Sequence, residues 1–284
     1  MNKSWQKWLT GGIPLVYLLL MVATPALITL TASLRYPGEF GGLAPLNDLT
    51  LETYQFFFGD FIYSEIFLKS VLMAAATTLI CLIAAYPLSL LIARSKRCNL
   101  LIILVILPLS SNFLIRIYAW MILLGPQAAL SRWLNAILHL LGAAPVQLLF
   151  SPFAVLIALV YVHLPFMVLP LYANLQKHDP ALLTAAQDLG ANAWQRFWRI
   201  TFPLSMPGVL SGAALVFIPV LGMFAIPEIL GGTGDMLIGN LIKEQFIVTR
   251  DWPFGAALSV MLTLTVLIFS LLAARISRTG GHYA

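Results

Sequence analysis

The chain has 284 residues, of which 60% are hydrophobic and 10% are charged, and its mean hydropathy is +0.92. Soluble domains carry roughly 25% charged residues, so this composition excludes an ordinary soluble protein. The net charge of +5 would indicate nucleic-acid binding only if the basic residues formed one patch. Cys81 and Cys98 have no partner at metal-ligand spacing, so we expect neither a metal site nor a disulfide framework.

Apolar runs long enough to cross about 30 Å of hydrocarbon as helices recur along the chain. There are six, at approximately residues 12–34, 66–93, 100–124, 152–173, 204–228 and 253–275. None shows the alternating pattern of an outer-membrane barrel strand. The first run is about 23 residues, longer than the apolar region of a secretory signal, so we expect it to remain as a helix. The sequence predicts an all-α polytopic membrane protein with six transmembrane helices in one domain, residues 1–284.

Basic residues concentrate on one side of the predicted membrane. Ten of the sixteen fall on the side of the N-terminus: Lys3, Lys7, Arg94, Lys96, Arg97, Lys177, Arg196, Arg199, Arg275 and Arg278. Of the acidic residues only Asp179 and Asp188 share that side. Because Lys and Arg near span ends mark the cytoplasmic side, we expect both termini in the cytoplasm. The positive charge is therefore an orientation signal, and we expect no nucleic-acid partner.

Two segments on the opposite side have the pattern of short amphipathic helices. The stretch LTLETYQFFFGD starts near Thr50, which is a suitable helix cap, and its aromatic side chains suit the membrane interface. Residues 131–141 are apolar at helical spacing, with Ser131 near the start.

The longest cytoplasmic segment, residues 174–203, interrupts the apolar pattern between the fourth and fifth spans. Asp179-Pro180 provides an N-cap followed by proline at the first helical position. Gly190 suits the end of this first short helix. Asn192 can cap a second helix, Ala193 to Ile200. The segment is thus predicted to be two short helices joined at a glycine.

The same segment has apolar side chains that a monomer has no reason to expose. They are Leu189, Trp194, Phe197 and Trp198. An exposed apolar face of this kind indicates a protein partner. We expect Phe202-Pro203 to redirect the chain into the fifth span.

The spacing Ala185-Ala186-(x3)-Gly190-(x9)-Ile200-x-x-Pro203 resembles the EAA loop, E-A-A-(x3)-G-(x9)-I-x-L-P, of the membrane subunits of bacterial ABC importers. Thr184 stands where that pattern has Glu, and Phe202 where it has Leu. We call residues 174–203 the EAA-like loop. Three further segments resemble the spermidine/putrescine permease branch of that family, at residues 111–124, 223–232 and 238–259.

The resemblance implies a type I ABC importer permease fold in a bacterial inner membrane, with the EAA-like loop as the coupling helix that contacts the ATPase. The positions that carry this role over are Thr184, Ala185, Ala186, Asp188, Leu189, Gly190, Phe197, Ile200 and Pro203. The implied partners are a cytoplasmic ABC ATPase dimer, a homologous second permease and a periplasmic solute-binding protein. The sequence has no G-x-x-x-x-G-K-[ST], so the chain is not expected to be an enzyme or to bind a cofactor, and ATP and Mg²⁺ belong to the ATPase.

Glu228 is the leading candidate for the substrate pathway. It follows Pro219, Gly222 and Pro227, which can break the fifth helix beside a cavity. A carboxylate there can pair with an ammonium group, whereas a solvated Glu at a helix end is the alternative. The aromatic candidates for cation–π attraction to the same cation are Tyr118, Trp120 and Phe224. Trp120 could instead be an interfacial anchor.

Arg116 and His163 also lie within apolar runs. For Arg116 we favour a structural pairing or a cap, because a cation repels a cationic substrate. For His163 we favour a hydrogen-bonded packing role over lining of the pathway.

The resemblance to the spermidine/putrescine branch implies import of a polyamine, with which a carboxylate at Glu228 is compatible. The alternatives are a permease for another solute (an amino acid, an opine-like compound or an anion) and a membrane scaffold that transports nothing.

Overall fold

The computed structural model of the chain describes residues 12–38, 41–45 and 49–280. Within these ranges the regular structure is helical, and extended pairing is limited to two isolated antiparallel bridges, Arg35 with Leu49 and Pro37 with Leu43. The all-α fold class is therefore confirmed.

The described residues form thirteen α-helices. In chain order they are α1 (Ile13–Ala32), α2 (Glu52–Gly59), α3 (Phe61–Arg94), α4 (Cys98–Ile106), α5 (Phe113–Leu124), α6 (Ala129–Leu140), α7 (Pro152–Leu175), α8 (Pro180–Asp188), α9 (Ala193–Arg196), α10 (Phe202–Leu221), α11 (Ala225–Leu230), α12 (Ile238–Glu244) and α13 (Trp252–Gly280). A 3-10 turn, Leu107–Ser110, follows α4, and π-helical turns follow α9 (Phe197–Thr201) and α12 (Gln245–Thr249).

Six helical segments in the described ranges are long and apolar enough to cross a membrane, which confirms the predicted number. They are Pro14–Ala32, Phe61–Arg94, Phe113–Leu140, Pro152–Leu175, Ala193–Leu221 and Trp252–Arg275. Lys3, Lys7 and both chain ends lie outside the described residues, so the cytoplasmic position of the termini stays a prediction.

The third span differs from the predicted single helix at 100–124. The apolar run is interrupted after the 3-10 turn, and Asn112 caps a new helix by accepting hydrogen bonds from the N–H groups of Leu114 (2.9 Å) and Ile115 (3.4 Å). The physical reason is that an Asn side chain satisfies helix N-terminal donors that an apolar residue would leave unpaired. The shorter apolar segment Cys98–Ser110 is thereby separated from Phe113–Leu140.

The fifth span differs in two ways. The chain is not redirected at Phe202-Pro203, because the helix continues from Ala193 to Leu221 through the π-helical turn. In that turn the N–H of Phe202 donates to the carbonyl of Phe197, one residue further back than in an α-helix. The predicted break near Gly222 is confirmed, since α10 ends at Leu221 and α11 begins at Ala225.

The helices α7 and α10 are the most buried. Within the most apolar 18 residues of each span, 56% of the residues are buried in Pro152–Leu175 and 44% in Ala193–Leu221. The corresponding share in Pro14–Ala32 is 6%. Gly208 and Gly212 allow α10 to approach α7 closely. A Cβ at Gly208 would lie 2.7 Å from the Cβ of Asn174, and one at Gly212 would lie 2.6 Å from the Sδ of Met167. This is the small-x-x-x-small packing typical of membrane helices.

The contacts divide the chain into two compact units. The first comprises Met1–Ser64 and Leu241–Leu264, and the second comprises Glu65–Asn240 and Thr265–Ala284. In the first unit α2 confirms the predicted short helix, and Thr50 accepts from the N–H of Glu52 at 3.0 Å although Leu51 is the capping position. The second unit contains the EAA-like loop and the four residues predicted to line the substrate pathway.

The second amphipathic helix is also present, as α6. Its Ser131 is buried and donates to the carbonyl of Leu124 at 3.0 Å, which ties the helix to the end of α5.

Candidate functional site

The first helix of the EAA-like loop has the predicted ends. Asp179 accepts from the N–H of Ala181 at 2.9 Å, and Pro180 occupies the first helical position. At the other end Gly190 has φ +81°, a conformation that favours glycine. The N–H of Ala191 donates to the carbonyl of Ala186 at 3.0 Å, and that of Gly190 donates to Gln187 at 2.9 Å. This pair of bonds is the Schellman helix end, which satisfies two otherwise unpaired carbonyls.

The second helix begins at a complete capping box. Asn192 accepts from the N–H of Gln195 at 2.8 Å, and the Gln195 side chain accepts from the N–H of Asn192 at 3.0 Å. Arg196 donates to the side-chain oxygen of Gln187 at 2.8 Å, which ties the second helix to the first. The predicted pair of helices joined at Gly190 is therefore confirmed, and the pair is held by hydrogen bonds on both sides of the glycine.

The outward face of the loop is strongly apolar. Leu189 is 89% exposed, Trp194 is 70% exposed and Trp198 is 46% exposed. Phe197, predicted to share this face, is instead half-buried and turned toward the helices beneath. Its ring packs against Tyr86 at a centroid distance of 5.2 Å.

The remaining loop positions have simple surroundings. Thr184 is exposed and donates to the carbonyl of Pro180 at 3.3 Å. Ala185, Asp188 and Pro203 are exposed, and Ala186 is half-buried. Ile200 lines a cavity of about 410 Å³ together with Arg94 at the end of α3 and His178, which follows α7.

Tyr86 and Ser205 are contacts beneath the loop that the sequence reasoning missed. Both are buried, and their hydroxyl oxygens lie 2.7 Å apart. Tyr86 belongs to a buried cluster with Leu171 and Leu175 of α7 and Val209 of α10. The available signal was a tyrosine hydroxyl within an apolar span, because such a group needs a hydrogen-bond partner when buried.

The helices that carry the four predicted pathway residues pack together. The short helix α11 contacts both α5 and α7. Glu228 is exposed in the first turn of α11, and Tyr118 and Phe224 are also exposed. Trp120 packs edge-on against Tyr161 of α7, with ring centroids 5.5 Å apart. The structure thus brings α5 and α11 together, while the part of Glu228, Tyr118, Trp120 and Phe224 in a substrate pathway stays a prediction.

Asn240 is a further residue that the sequence reasoning missed. Its side-chain N–H donates to the carbonyl of Phe224 at 2.9 Å, at the break between α10 and α11. A Cβ at the preceding Gly239 would lie 2.7 Å from the carbonyl oxygen of Gly222. The start of α12 therefore packs directly on the broken backbone and satisfies one of its acceptors. The Gly239-Asn240 pair in an apolar segment was the signal.

His163 is buried and hydrogen-bonded, as expected for a packing histidine. Its Nδ1 lies 2.9 Å from the carbonyl oxygen of Leu159, and its ring contacts Phe166. Arg116 is half-buried. The Nε of Arg116 has no hydrogen-bond partner among the described residues.

Six apolar helical segments with a capped helix pair at one of them define a multi-pass helical membrane protein. The chain belongs to the family of binding-protein-dependent transport system inner membrane components, which matches residues 85–279. It is accordingly a permease component of the inner membrane.

Individual relatives cover most of the chain. It is 40% identical over 274 residues to the spermidine/putrescine transport system permease protein PotB of Haemophilus influenzae, covering 94% of this chain and 93% of that protein. It is 45% identical over 223 residues to PotB of Escherichia coli K12, covering 77% of this chain and 80% of that protein.

A solved structure shows the same fold. The match is a bacterial ABC transporter involved in the import of the acidic polysaccharide alginate, with a TM-score of 0.70 and 18% identity, covering 98% of this chain and 99% of that chain. The predicted fold of an ABC importer permease is therefore confirmed.

Proposed function

We propose that the chain is the permease subunit of an ATP-driven importer that moves polyamines, spermidine and putrescine, from the periplasm to the cytoplasm. The observation that carries the substrate class is the 40% identity to a spermidine/putrescine permease along 94% of the chain. A likeness of this extent includes the spans as well as the EAA-like loop, so it covers the parts that face the solute.

The EAA-like loop is the site at which we propose that a cytoplasmic ABC ATPase dimer binds. Leu189, Trp194 and Trp198 form an exposed apolar face on the two loop helices, which suits a protein partner. Among the predicted coupling positions, Leu189 contributes to this face directly, and Gly190 shapes the helix end that presents it. The second helix continues without a break into α10, so a push on the loop moves a membrane helix directly.

The remaining parts of the transporter follow from the same proposal. A second, homologous permease completes the pathway, because one six-helix subunit encloses half of it. A periplasmic solute-binding protein delivers the polyamine, and ATP and Mg²⁺ are used by the ATPase. The loop and the spans then alternate between inward- and outward-open states.

In the pathway we propose that Glu228 pairs with an ammonium group of the solute. Tyr118, Trp120 and Phe224 add attraction between the cation and their ring faces. Two supports are the exposure of Glu228 and the packing of α11 against the helix that carries Tyr118 and Trp120.

The test is uptake of radiolabelled spermidine and putrescine by cells that lack their own polyamine importers and express this chain with its partners. Glu228→Gln should lower uptake at subsaturating polyamine by about tenfold, since hydrogen bonds to charged groups contribute ~1.5–3 kcal/mol. The matched control is Glu65→Gln, which removes a carboxylate paired with Lys69 at 2.7 Å on the surface of α3. Unchanged uptake by Glu228→Gln would refute the pathway role. Import of amino acids or anions without polyamine import would refute the substrate.

A further inference from the structure

The EAA-like loop is covalently continuous with α10, but it meets α3 only through side-chain contacts. The meeting point is Tyr86, whose ring lies 5.2 Å from the ring of Phe197 in a T-shaped arrangement with an interplanar angle of 74°. Phe197 begins the π-helical turn that joins the loop to α10. Tyr86 also packs against Phe202, at 6.0 Å between centroids.

A hydrogen bond accompanies these ring contacts, and its direction follows from counting protons. Ser205 has one hydroxyl hydrogen and donates it to the carbonyl of Phe202 at 2.8 Å. The arrangement that satisfies both groups therefore has the hydroxyl of Tyr86, 2.7 Å from Ser205 Oγ, donating to Ser205. The bond is buried, so water does not compete for either group.

The backbone of α3 is weakest at the same point. Pro87 follows Tyr86 inside the helix and has no N–H to donate to the carbonyl of Ile83. Kinks in membrane helices concentrate at such prolines. Tyr86 thus holds α3 to α10 where α3 bends most easily.

We propose that Tyr86, through Ser205 and Phe197, is a positioning residue that makes α3 follow the movement of the EAA-like loop. We call these three residues the Tyr86 clasp. The inference rests on the proposed function, because it assigns to the clasp the transfer of ATP-driven movement from the loop to a second membrane helix. Without the clasp, α10 moves with the loop while α3 lags at Pro87.

Substitutions at Tyr86 and Ser205 distinguish a role in coupling the loop to α3 from a role in packing alone. Tyr86→Phe keeps the ring and removes only the donated bond, and Ser205 keeps its own bond to Phe202. Ser205→Ala leaves the buried Tyr86 hydroxyl without an acceptor, so it should lower stability more than Tyr86→Phe does. The matched control is Ser89→Ala, which removes another buried bond of α3, from Ser89 to the carbonyl of Val168 of α7 at 3.2 Å, an acceptor outside the EAA-like loop.

The first measurement is the number of spermidine molecules imported per ATP hydrolysed by the assembled transporter in proteoliposomes. We expect this ratio to fall about fivefold for Tyr86→Phe, which corresponds to ~1 kcal/mol at about 1.4 kcal/mol per tenfold. Ser89→Ala should keep the ratio of the unmodified chain. The double variant Tyr86→Phe with Ser205→Ala should be no worse than the poorer single variant, because both substitutions break the same bond between Tyr86 and Ser205. A Tyr86→Phe ratio equal to that of the unmodified chain, an equal loss for Ser89→Ala, or additive losses would overturn the proposal.

The second measurement needs neither substrate nor partner. Spin labels at Leu91 of α3 and Leu182 of α8, both exposed, report the distance between α3 and the loop in the full chain in lipid nanodiscs. We expect Tyr86→Phe to broaden the distance distribution and Ser89→Ala to leave it unchanged. An unbroadened distribution for Tyr86→Phe would overturn the clasp even if polyamine import is confirmed. Broadening without polyamine import by the unmodified chain would retain the clasp and reject the proposed substrate.

Discussion

The close approach of α7 and α10 makes Gly208 a sharp test of the packing. In Gly208→Ala the new Cβ would lie 2.7 Å from the Cβ of Asn174 and 3.2 Å from the Cα of Leu171. Carbon atoms in contact prefer about 3.5–4.0 Å, so the helices must separate by close to ~1 Å. Overpacking of this kind costs ~1–3 kcal/mol, and the better helix propensity of Ala returns up to ~1 kcal/mol. We expect a net loss of ~1–2 kcal/mol of stability.

Alanine substitutions at two other glycines show whether a loss of stability comes from a steric clash or from the helix propensity of alanine. The nearest atom to a Cβ at Gly212 is the Sδ of Met167, the middle of a flexible side chain, so Gly212→Ala should cost less than Gly208→Ala. Gly59 has nothing within 4 Å of an added Cβ, so Gly59→Ala should be neutral or slightly stabilising. The assay is thermal unfolding of the purified chain in one detergent, followed by tryptophan fluorescence. If Gly208→Ala unfolds at the temperature of Gly59→Ala, the reasoning from close helix approach is wrong.

Two further predictions concern a helix end and a buried hydrogen bond. Gly190→Val should reduce the amount of ATPase that co-purifies with the chain, because a backbone φ of +81° costs a β-branched residue ~1–2 kcal/mol. Gly190→Asn should retain most of the ATPase. Equal retention by the two variants would contradict the role of this helix end. Ser70→Ala should lower the free energy of unfolding by ~1–3 kcal/mol, since the buried N–H of Ile238 loses its acceptor at 2.7 Å. Thr78→Ala removes only a bond within α3 and should cost less. The reverse order in an unfolding assay would contradict the importance of the bond between Ser70 and Ile238.

Much of the EAA-like loop could be read from the sequence because its structure is local. Asp179, Gly190 and Asn192 each act within a few residues of their own position, through caps or a positive φ. Such interactions depend on residue type and spacing alone. The number of spans was equally accessible, because an apolar run of sufficient length has to cross the bilayer as a helix.

The sequence also contains the signal for the interruption of the third span, because Ser111-Asn112 precedes an apolar run. The high average hydropathy of residues 100–124 led to the prediction of one continuous helix instead. Hydropathy averages over a window, whereas a cap acts at one residue. The expected redirection at Phe202-Pro203 failed for a different reason. A proline can remain in a helix when a π-helical turn shifts the hydrogen-bond register ahead of it, as it does at Phe197–Thr201.

The sequence by itself determined the helical class, the number of spans and the caps of the two loop helices, because bilayer thickness and backbone hydrogen bonding act on each segment separately. Only the tertiary structure decided that Phe197 turns inward onto Tyr86, that the hydroxyls of Tyr86 and Ser205 lie within hydrogen-bond distance, and that α11 packs against α5. These contacts join residues far apart in the chain, 119 positions in the case of Tyr86 and Ser205. Which residues meet depends on which helix faces pack together. A helix that is apolar on all sides has little amphipathic pattern, so its own sequence does not indicate the face that packs.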